Sequence, residues 1–371
     1  MLTTSLPHEG DPGAGAFVAA MAAALARRGH RVVLVGSVPA TASPCAAPGV
    51  DLEVVRDVDG GVFSGAGAPE RLRFDEGVPR ALDAWRGARV VGALARRASS
   101  VAPRVDAWVS HFVLPSALVV AGVARSRPHL AVVHGSDGWL LARAPRVARD
   151  AVLRCASAWR FTHPALRDAV LCGVRAPDVV EVAPMGFDGT AGVPGLRDVV
   201  VSMGRLVSLK RFDVAVDAIA AASRTEPLPW VVLGDGSERE ALVARAAARG
   251  VDVRFEGAVE GVVRDAWLRR ARVFLHTAGA SASGRGEGAP VSLLEAMGAG
   301  AAVVATDSGG VRWIVGDAGT VLPASTSADD IGAAVLRAWR GELPGGAEAL
   351  ARVAPWRWDQ QAASLERTLF G

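Results

Sequence analysis

A chain of 371 residues, half of them apolar, is too long for one typical hydrophobic core and has ample material for two. Its three cysteines (Cys45, Cys155, Cys172) have neither metal-ligand spacing nor the even count of a disulfide framework, which excludes a stapled scaffold and points to a reducing, cytoplasmic setting. Net charge is only +3 but uneven: residues 1–180 carry 21 basic against 15 acidic side chains, and residues 181–371 carry 20 against 23.

In chain order, the first question is the first strand. A doubly wound domain opens with a buried strand of about 5–6 residues, yet only Met1 to Ser5 precede Leu6-Pro7. The expectation is an abbreviated strand whose remaining residues belong upstream in the natural reading frame; the plainer alternative is that four or five residues suffice. No basic leader with a cleavage site is visible. Gly10–Gly15 then lead into a helix over Ala14–Arg28, ended by Gly29, and strands follow at Arg31–Val35, Leu52–Val55, Ala107–Ser110 and Leu130–Val133.

Between the second and third strands, Arg80, Arg86, Arg89, Arg96, Arg97 and Arg104 surround Leu82, Trp85, Val90, Val91 and Leu94. A basic amphipathic helix of this kind can lie on anionic lipid headgroups, a peripheral membrane contact; a solvated surface helix is the commoner case. Ala107–Ala124 is uncharged and long enough to raise the question of a membrane span. His111, Pro115 and Ser116 interrupt it, so it reads as strand, turn and helix.

Asp188–Arg197, with four Gly or Pro among ten residues, is the expected linker. It separates residues 1–188 from a second domain over 197–355, where the alternation restarts. Strands are expected at Val199–Met203, Trp230–Leu233, Val253–Phe255, Val273–Leu275 and Ala302–Ala305. Helices are expected at Asp213–Ala222, Glu238–Arg249, Asp265–Arg270, Pro290–Ala299 and Ala328–Arg340. A last amphipathic helix, within 356–371, is expected to pack back on the first domain. Such alternation predicts an α/β protein with parallel sheets covered on both faces, and ligands bind beyond the carboxyl ends of strands in such sheets. His111, His134, Gly204-Arg205, Gly234-Asp235-Gly236 and His276 all follow strands directly.

Two motifs carry chemistry. Of 41 basic residues only Lys210 is lysine, in Gly204-Arg205-Leu-Val-Ser-Leu-Lys210 just after the Val199 strand. A compact ammonium serves phosphate as a point charge, unlike the planar Arg fork. Glu287-Gly-Ala-Pro-Val-Ser-Leu-Leu-Glu295 places two carboxylates eight positions apart across a helix start. Pro290 suits the first helical turn, and the amides of Val291 and Ser292 can then receive phosphate. Carboxylates accept hydrogen bonds from sugar or ribose hydroxyls. Leu293, Leu294, Ala296 and Met297 surround Glu295, so it needs a buried partner. Either motif alone reads as ordinary solvated charge; together they suit a ligand with anionic and hydroxyl-rich ends, such as a nucleotide-sugar.

The chain resembles the family 4 retaining glycosyltransferases (glycosyl transferases group 1) along nearly its whole length. The resemblance rests on Gly10–Gly15 with its helix ending Arg28-Gly29-His30, Ser110-His111…Pro115, Val133-His134-Gly135-Ser136-Asp137, Gly204-Arg205…Lys210, Leu233-Gly234-Asp235-Gly236, Phe255-Glu256-Gly257-Ala258-Val259 and Glu287…Glu295-Ala-Met-Gly-Ala-Gly300. It implies the GT-B architecture, two doubly wound Rossmann-like domains facing across a cleft. It also implies that Arg205 and Lys210 hold the donor diphosphate, with the amides of Gly288, Ala289, Val291 and Ser292 completing the cradle. Glu295 would take the ribose, Glu287 the transferred sugar and the backbone near Val259 the base. Gly13 and Gly15 would approach the phosphate, and His134 the transferred sugar and acceptor. Met185 departs from the Asn common in relatives.

The expected reaction is transfer from a nucleoside-diphosphate sugar with retention, needing no divalent metal and no cofactor, the departing phosphate accepting the acceptor proton. The acceptor is expected to be a glycan or glycolipid of envelope or exopolysaccharide assembly; a small-molecule natural product fits nearly as well. A nucleotide-sugar epimerase and a non-catalytic sugar-binding relative are the competing readings. A phosphorylase of this architecture would need a lysine for pyridoxal phosphate, and the single lysine is already assigned. No nucleic-acid partner is expected.

Overall fold

The computed structural model describes residues 1–58, 81–124, 126–189, 197–259, 261–280 and 286–371, the side chains of 81–84 excepted. It divides into two compact units, Met1–Gly186 with Trp358–Gly371, and Phe187–Arg357. Most of the expected linker, residues 190–196, lies outside the described residues, as does Arg80.

In the first unit, β1 (Val32–Pro39) pairs in parallel with β2 (Val50–Asp57), and β3 (Trp108–His111), β4 (His129–Val133), β5 (Ala158–Phe161) and β6 (Val180–Val182) form a parallel run in sequence order. The expected first strand is reduced to a bridge. Leu2 pairs with both Val35 and Ser110, its N–H donating to Val109 and its carbonyl accepting from His111, so that it stitches β1 to β3. Helix α1 (Ala16–Arg27) follows Gly15, and α2 (Ala81–Val101) crosses back from β2 towards β3. The apolar stripe of α2 is spent on the core. Val90, Leu94, Ala98 and Val101 are buried with Leu2, Val33, Val35 and Trp108, while Arg97 and Arg104 pair with Glu53 at 3.2 and 3.1 Å. Most of the described apolar stripe therefore faces inward; among the described side chains of α2, Trp85, under the Arg89 guanidinium, is the large apolar one left exposed. Ala107–Ala124 forms β3, a helical turn at Val113–Ala117 and a short helix at Leu118–Val123. No helix among the described residues is long and apolar enough to cross a membrane.

β5 and β6 are not visible in the sequence pattern. A charged residue, Arg160, breaks the apolar run of β5, yet it is fully buried because Glu181 (2.7 Å), Gln361 (3.0 Å) and Ser364 (3.2 Å) satisfy its guanidinium. Two of those partners come from the last helix, which belongs to this unit. Glu366 on the same helix is held by Arg28 (2.7 Å) and His30 (2.8 Å).

In the second unit one six-stranded parallel sheet runs β12-β11-β10-β7-β8-β9, with β7 (Val199–Met203), β8 (Trp230–Leu233), β9 (Val253–Gly257), β10 (Ala271–His276), β11 (Ala302–Thr306) and β12 (Thr320–Leu322). Alternation sends Val199 and Val201 to one face and Val200 to the other. Leu293, Leu294 and Met297 cover the first face, and Phe212, Ile219, Ile331 and Val335 the second. The strand order reverses between β7 and β10. That switch point leaves a crevice beyond the strand ends, where open α/β sheets bind ligands.

Candidate functional site

The loops after β7 and β10 meet at this crevice. The β7 loop passes Gly204-Arg205 and tightens into a turn at Ser208–Lys210, with Arg211 left-handed at φ 50° before helix α3 (Phe212–Ser223). Thr277, just past β10, donates its hydroxyl to the carbonyls of Lys210 (3.1 Å) and Arg211 (2.9 Å), and Gly279 N–H donates to Leu209 (3.0 Å). A third loop, after β11, locks the Glu287 segment. Ser308 Oγ accepts from the Glu287 N–H (2.9 Å) and donates to Gly279 (2.7 Å), while Gly310 N–H donates to Gly288 (2.8 Å). Gly309 sits at φ 56°, where an added Cβ would overlap the Glu287 carbonyl oxygen.

This lattice sets Lys210 Nζ 2.6 Å from Glu287 Oε2, both side chains about 15% exposed. His276 Nε2 stands 3.8 Å from the same carboxylate oxygen. Burial opposes charge on Glu287, but the cations around it, Lys210 foremost and Arg205 beyond, outweigh it and hold the carboxyl below the usual carboxylate range. His276 is pushed down to about 4 by burial and then by Lys210, against Glu287, so its ring is neutral at pH 7. Arg205 is exposed and has no ion-pair partner among the described residues. A neutralised Lys210–Glu287 pair beside one open guanidinium leaves the crevice cationic.

Glu287 runs into helix α4 (Val291–Gly298). Pro290 is the residue before the helix, at φ −69° and ψ 117°, rather than within the first turn as the sequence suggested. Val291 and Ser292 are then the first two helical residues, whose amides have no acceptor inside the helix. Ala289 packs partly buried against the core, as does Val259 after β9. Glu295, inside α4, finds the partner its apolar surroundings demand in the half-buried Arg264, at 2.8 Å. Burial raises Glu295 to about 7; Arg264 opposes the rise, and Asp265 and Asp188 add to it. Near neutrality it can both accept from and donate to paired hydroxyls.

Gly13, Gly15 and His134 belong to the first unit. Gly15 precedes α1 at φ 65°, with no room for a Cβ beside the Ser5 carbonyl, whereas Gly13 has room. Of the two, Gly15 is the position that requires glycine. His134 follows β4 and packs against both Phe17 and Phe112, ring centroids 5.1 and 4.6 Å away. Its Nε2 is 3.2 Å from His111 Nδ1, and its N–H donates to Asp137 at 3.0 Å. Burial drives His134 to about 3 and His111 well below its ordinary value. The two rings therefore share one neutral N–H···N bond, and His134 offers neutral imidazole chemistry. Asp137, bonded by the amides of Val113 and His134, is nevertheless raised to about 7 by burial.

Thr277, Ser308 and Arg264 were not singled out from the sequence. Their only signal there is position: Thr277 and Ser308 each lie just past a strand, and Arg264 lies in a helix. The chain also carries one Asp-x-Asp spacing, Asp57-Val58-Asp59; Asp57 is buried at the end of β2, and Asp59 lies outside the described residues.

Residues 197–340 match the family model described as glycosyl transferases group 1. No curated protein matches the chain. Among solved structures it is similar to Anabaena HepE in complex with UDP and glucose, with a TM-score of 0.68 and 18% identity over all of both chains. It is also similar to sucrose-phosphate synthase from Thermosynechococcus elongatus, with a TM-score of 0.70 and 17% identity over 99% of this chain and 98% of that one. The apo lipopolysaccharide outer core galactosyltransferase WaaB gives 0.61 and 13% over 100% and 98%. The likeness establishes the fold: two Rossmann-like domains of the GT-B class.

Proposed function

We propose that this protein is a retaining glycosyltransferase, moving a sugar from a nucleoside-diphosphate sugar to an acceptor hydroxyl without a divalent metal. The observation that carries the reading is the Lys210–Glu287 pair beside Arg205, fixed by three loops at the switch point of the domain that matches the group 1 family model. Arg205, Lys210 and the first amides of α4 would meet the charge that builds on the departing diphosphate, which is electrostatic catalysis in a preorganised site. Glu287 would hold the transferred sugar and Glu295 the ribose. His134 would offer its neutral ring to the sugar and acceptor, with the Gly13–Gly15 loop close to the phosphate. The departing phosphate oxygen would take the acceptor proton, so no protein nucleophile is required.

HepE structures hold UDP, UDP-glucose, and UDP with glucose, which makes UDP-hexoses the first donors to try. The acceptor we propose is a glycan or glycolipid of the cell envelope, in keeping with the similar lipopolysaccharide outer core galactosyltransferase. A thermal-shift screen of nucleotide-sugars followed by acceptor trials tests the whole reading. The product should keep the donor's anomeric configuration by NMR, and turnover should survive EDTA. An inverted product, or loss of activity restored by Mg²⁺ or Mn²⁺, would overturn the mechanism. By calorimetry, Glu295→Ala should weaken UDP itself, whereas Glu287→Ala should weaken mainly the intact donor; equal effects on both would contradict the division of roles.

A further inference from the structure

One polar atom at the crevice has no task in the reading above. His276 ends β10 at the switch point, its side chain 4% exposed, and its Nε2 is buried without a hydrogen-bond partner among the described residues. A buried polar group left unpaired is costly and rare enough to need a reason. The groups that act on it are charged: Glu287 at 3.8 Å, and Lys210, whose ammonium is bonded to that same carboxylate oxygen; Arg205 acts on Glu287 from farther off.

Lys210 is bonded to the same Oε2 that His276 approaches. A phosphate binding to Lys210 would compete with Glu287 for one ammonium. A buried carboxylate that loses its cation must take up a proton or find another donor. Once protonated, Glu287 would be a poorer acceptor for sugar hydroxyls. His276 is the donor at hand, because a movement of about 1 Å brings 3.8 Å to hydrogen-bonding distance.

We propose that His276 is a positioning residue for Glu287. When the donor diphosphate draws Lys210 away, the Nε2–H of His276 takes over Oε2 and keeps the carboxylate anionic and aimed at the transferred sugar. The exchange is a hand-over of one hydrogen bond, with no proton moved. It makes donor binding and sugar orientation a single event. The inference rests on Lys210 as a phosphate ligand, and its test separates the two ideas.

Histidine ring 15N–1H spectra are recorded with pyrophosphate and with UDP, the His276 signal being assigned by its loss in His276→Gln. The Nε2–H resonance should move downfield when either probe binds. If a probe binds and shifts other site signals while His276 stays put, the proposal is wrong. If calorimetry finds that neither probe binds, the phosphate reading of the site fails and the proposal fails with it. Kinetics supply a second readout. In His276→Phe, kcat should fall roughly 10- to 100-fold, the cost of a misplaced catalytic group. The donor KM should stay within about threefold, and the acid limb of kcat should rise by about one pH unit, the change a carboxylate undergoes on losing a hydrogen-bond donor. His276→Gln keeps an N–H near the same place and should restore the limb and most of kcat. A folded Phe variant with wild-type kcat and an unmoved acid limb would overturn the proposal. Should that variant not fold, the wild-type spectra decide alone.

Discussion

Lys210 stands alone among arginines, and its surroundings give the reason. Its ammonium fits end-on against a largely buried Glu287 oxygen at 2.6 Å, while the turn that carries it is pinned from behind by Thr277. A planar guanidinium asks for two parallel acceptors and more width. Lys210→Ala should therefore lose about 10²-fold or more in transfer, as expected when one preorganised charge leaves an active site. Lys210→Arg should recover part of it. Near-wild-type turnover in the alanine variant, measured with the best donor, would remove Lys210 from the site. The same substitution leaves Glu287 buried without its cation, a loss of about 3–5 kcal/mol where no new partner forms. Urea unfolding of Lys210→Ala beside a Lys210→Ala/Glu287→Gln double variant separates that cost from catalysis, since the double variant should be the more stable.

Loops carry Arg205, Lys210 and Glu287, and the β11 loop that locks the Glu287 segment is the most exposed to change. Gly309 has no space for a Cβ against the Glu287 carbonyl. Gly309→Ala should displace the Glu287 segment and cut kcat by about 10²-fold, in line with the effect of an ångström-scale misplacement, with UDP binding less affected. Unchanged kcat in that variant would mean the segment is not held as described. The start of α4 and the loops after β7 and β10 were readable in the sequence, because strand, glycine and helix signals succeed one another within a few residues. The contact they create was not. Lys210 and Glu287 are 77 residues apart, and they meet only because the strand order reverses between β7 and β10, which no local pattern encodes. β5 escaped notice because Arg160 mimics a break in an apolar strand, its partners lying in distant elements. β12, with three residues between Gly319 and Pro323, is too short to show a period. The stripe on α2 was plain, but a stripe does not say what covers it; here the domain core does.

For the molecule as a whole, buried titratable groups set the pH at which it is stable. His134 is depressed to about 3, and His129, His163 and His276 to about 4, each chiefly by burial. Between those values and about 6.5 the unfolded chain binds more protons than the native one, so stability is complete above about 6.5 and is lost as pH falls. Asp137 and Glu295, raised to about 7, work the other way: they favour the native state at acid pH and lose that contribution as pH rises towards 7. The histidines outnumber them. Urea midpoints should therefore fall steeply from pH 6 to 4. A flat profile across the acid range would show that these rings titrate freely. The return of the last helix to the first unit has a further result, one of timing. Residues 187–357 form an uninterrupted stretch, whereas the first unit lacks Gln361 and Ser364 for its buried Arg160 until the final fourteen residues arrive. On the ribosome the later-made unit should thus be finished first. Nascent chains stalled just after residue 357 has cleared the exit tunnel should resist protease over 197–340 and be cut within 1–186, and full protection of both would show that the last helix is dispensable for folding.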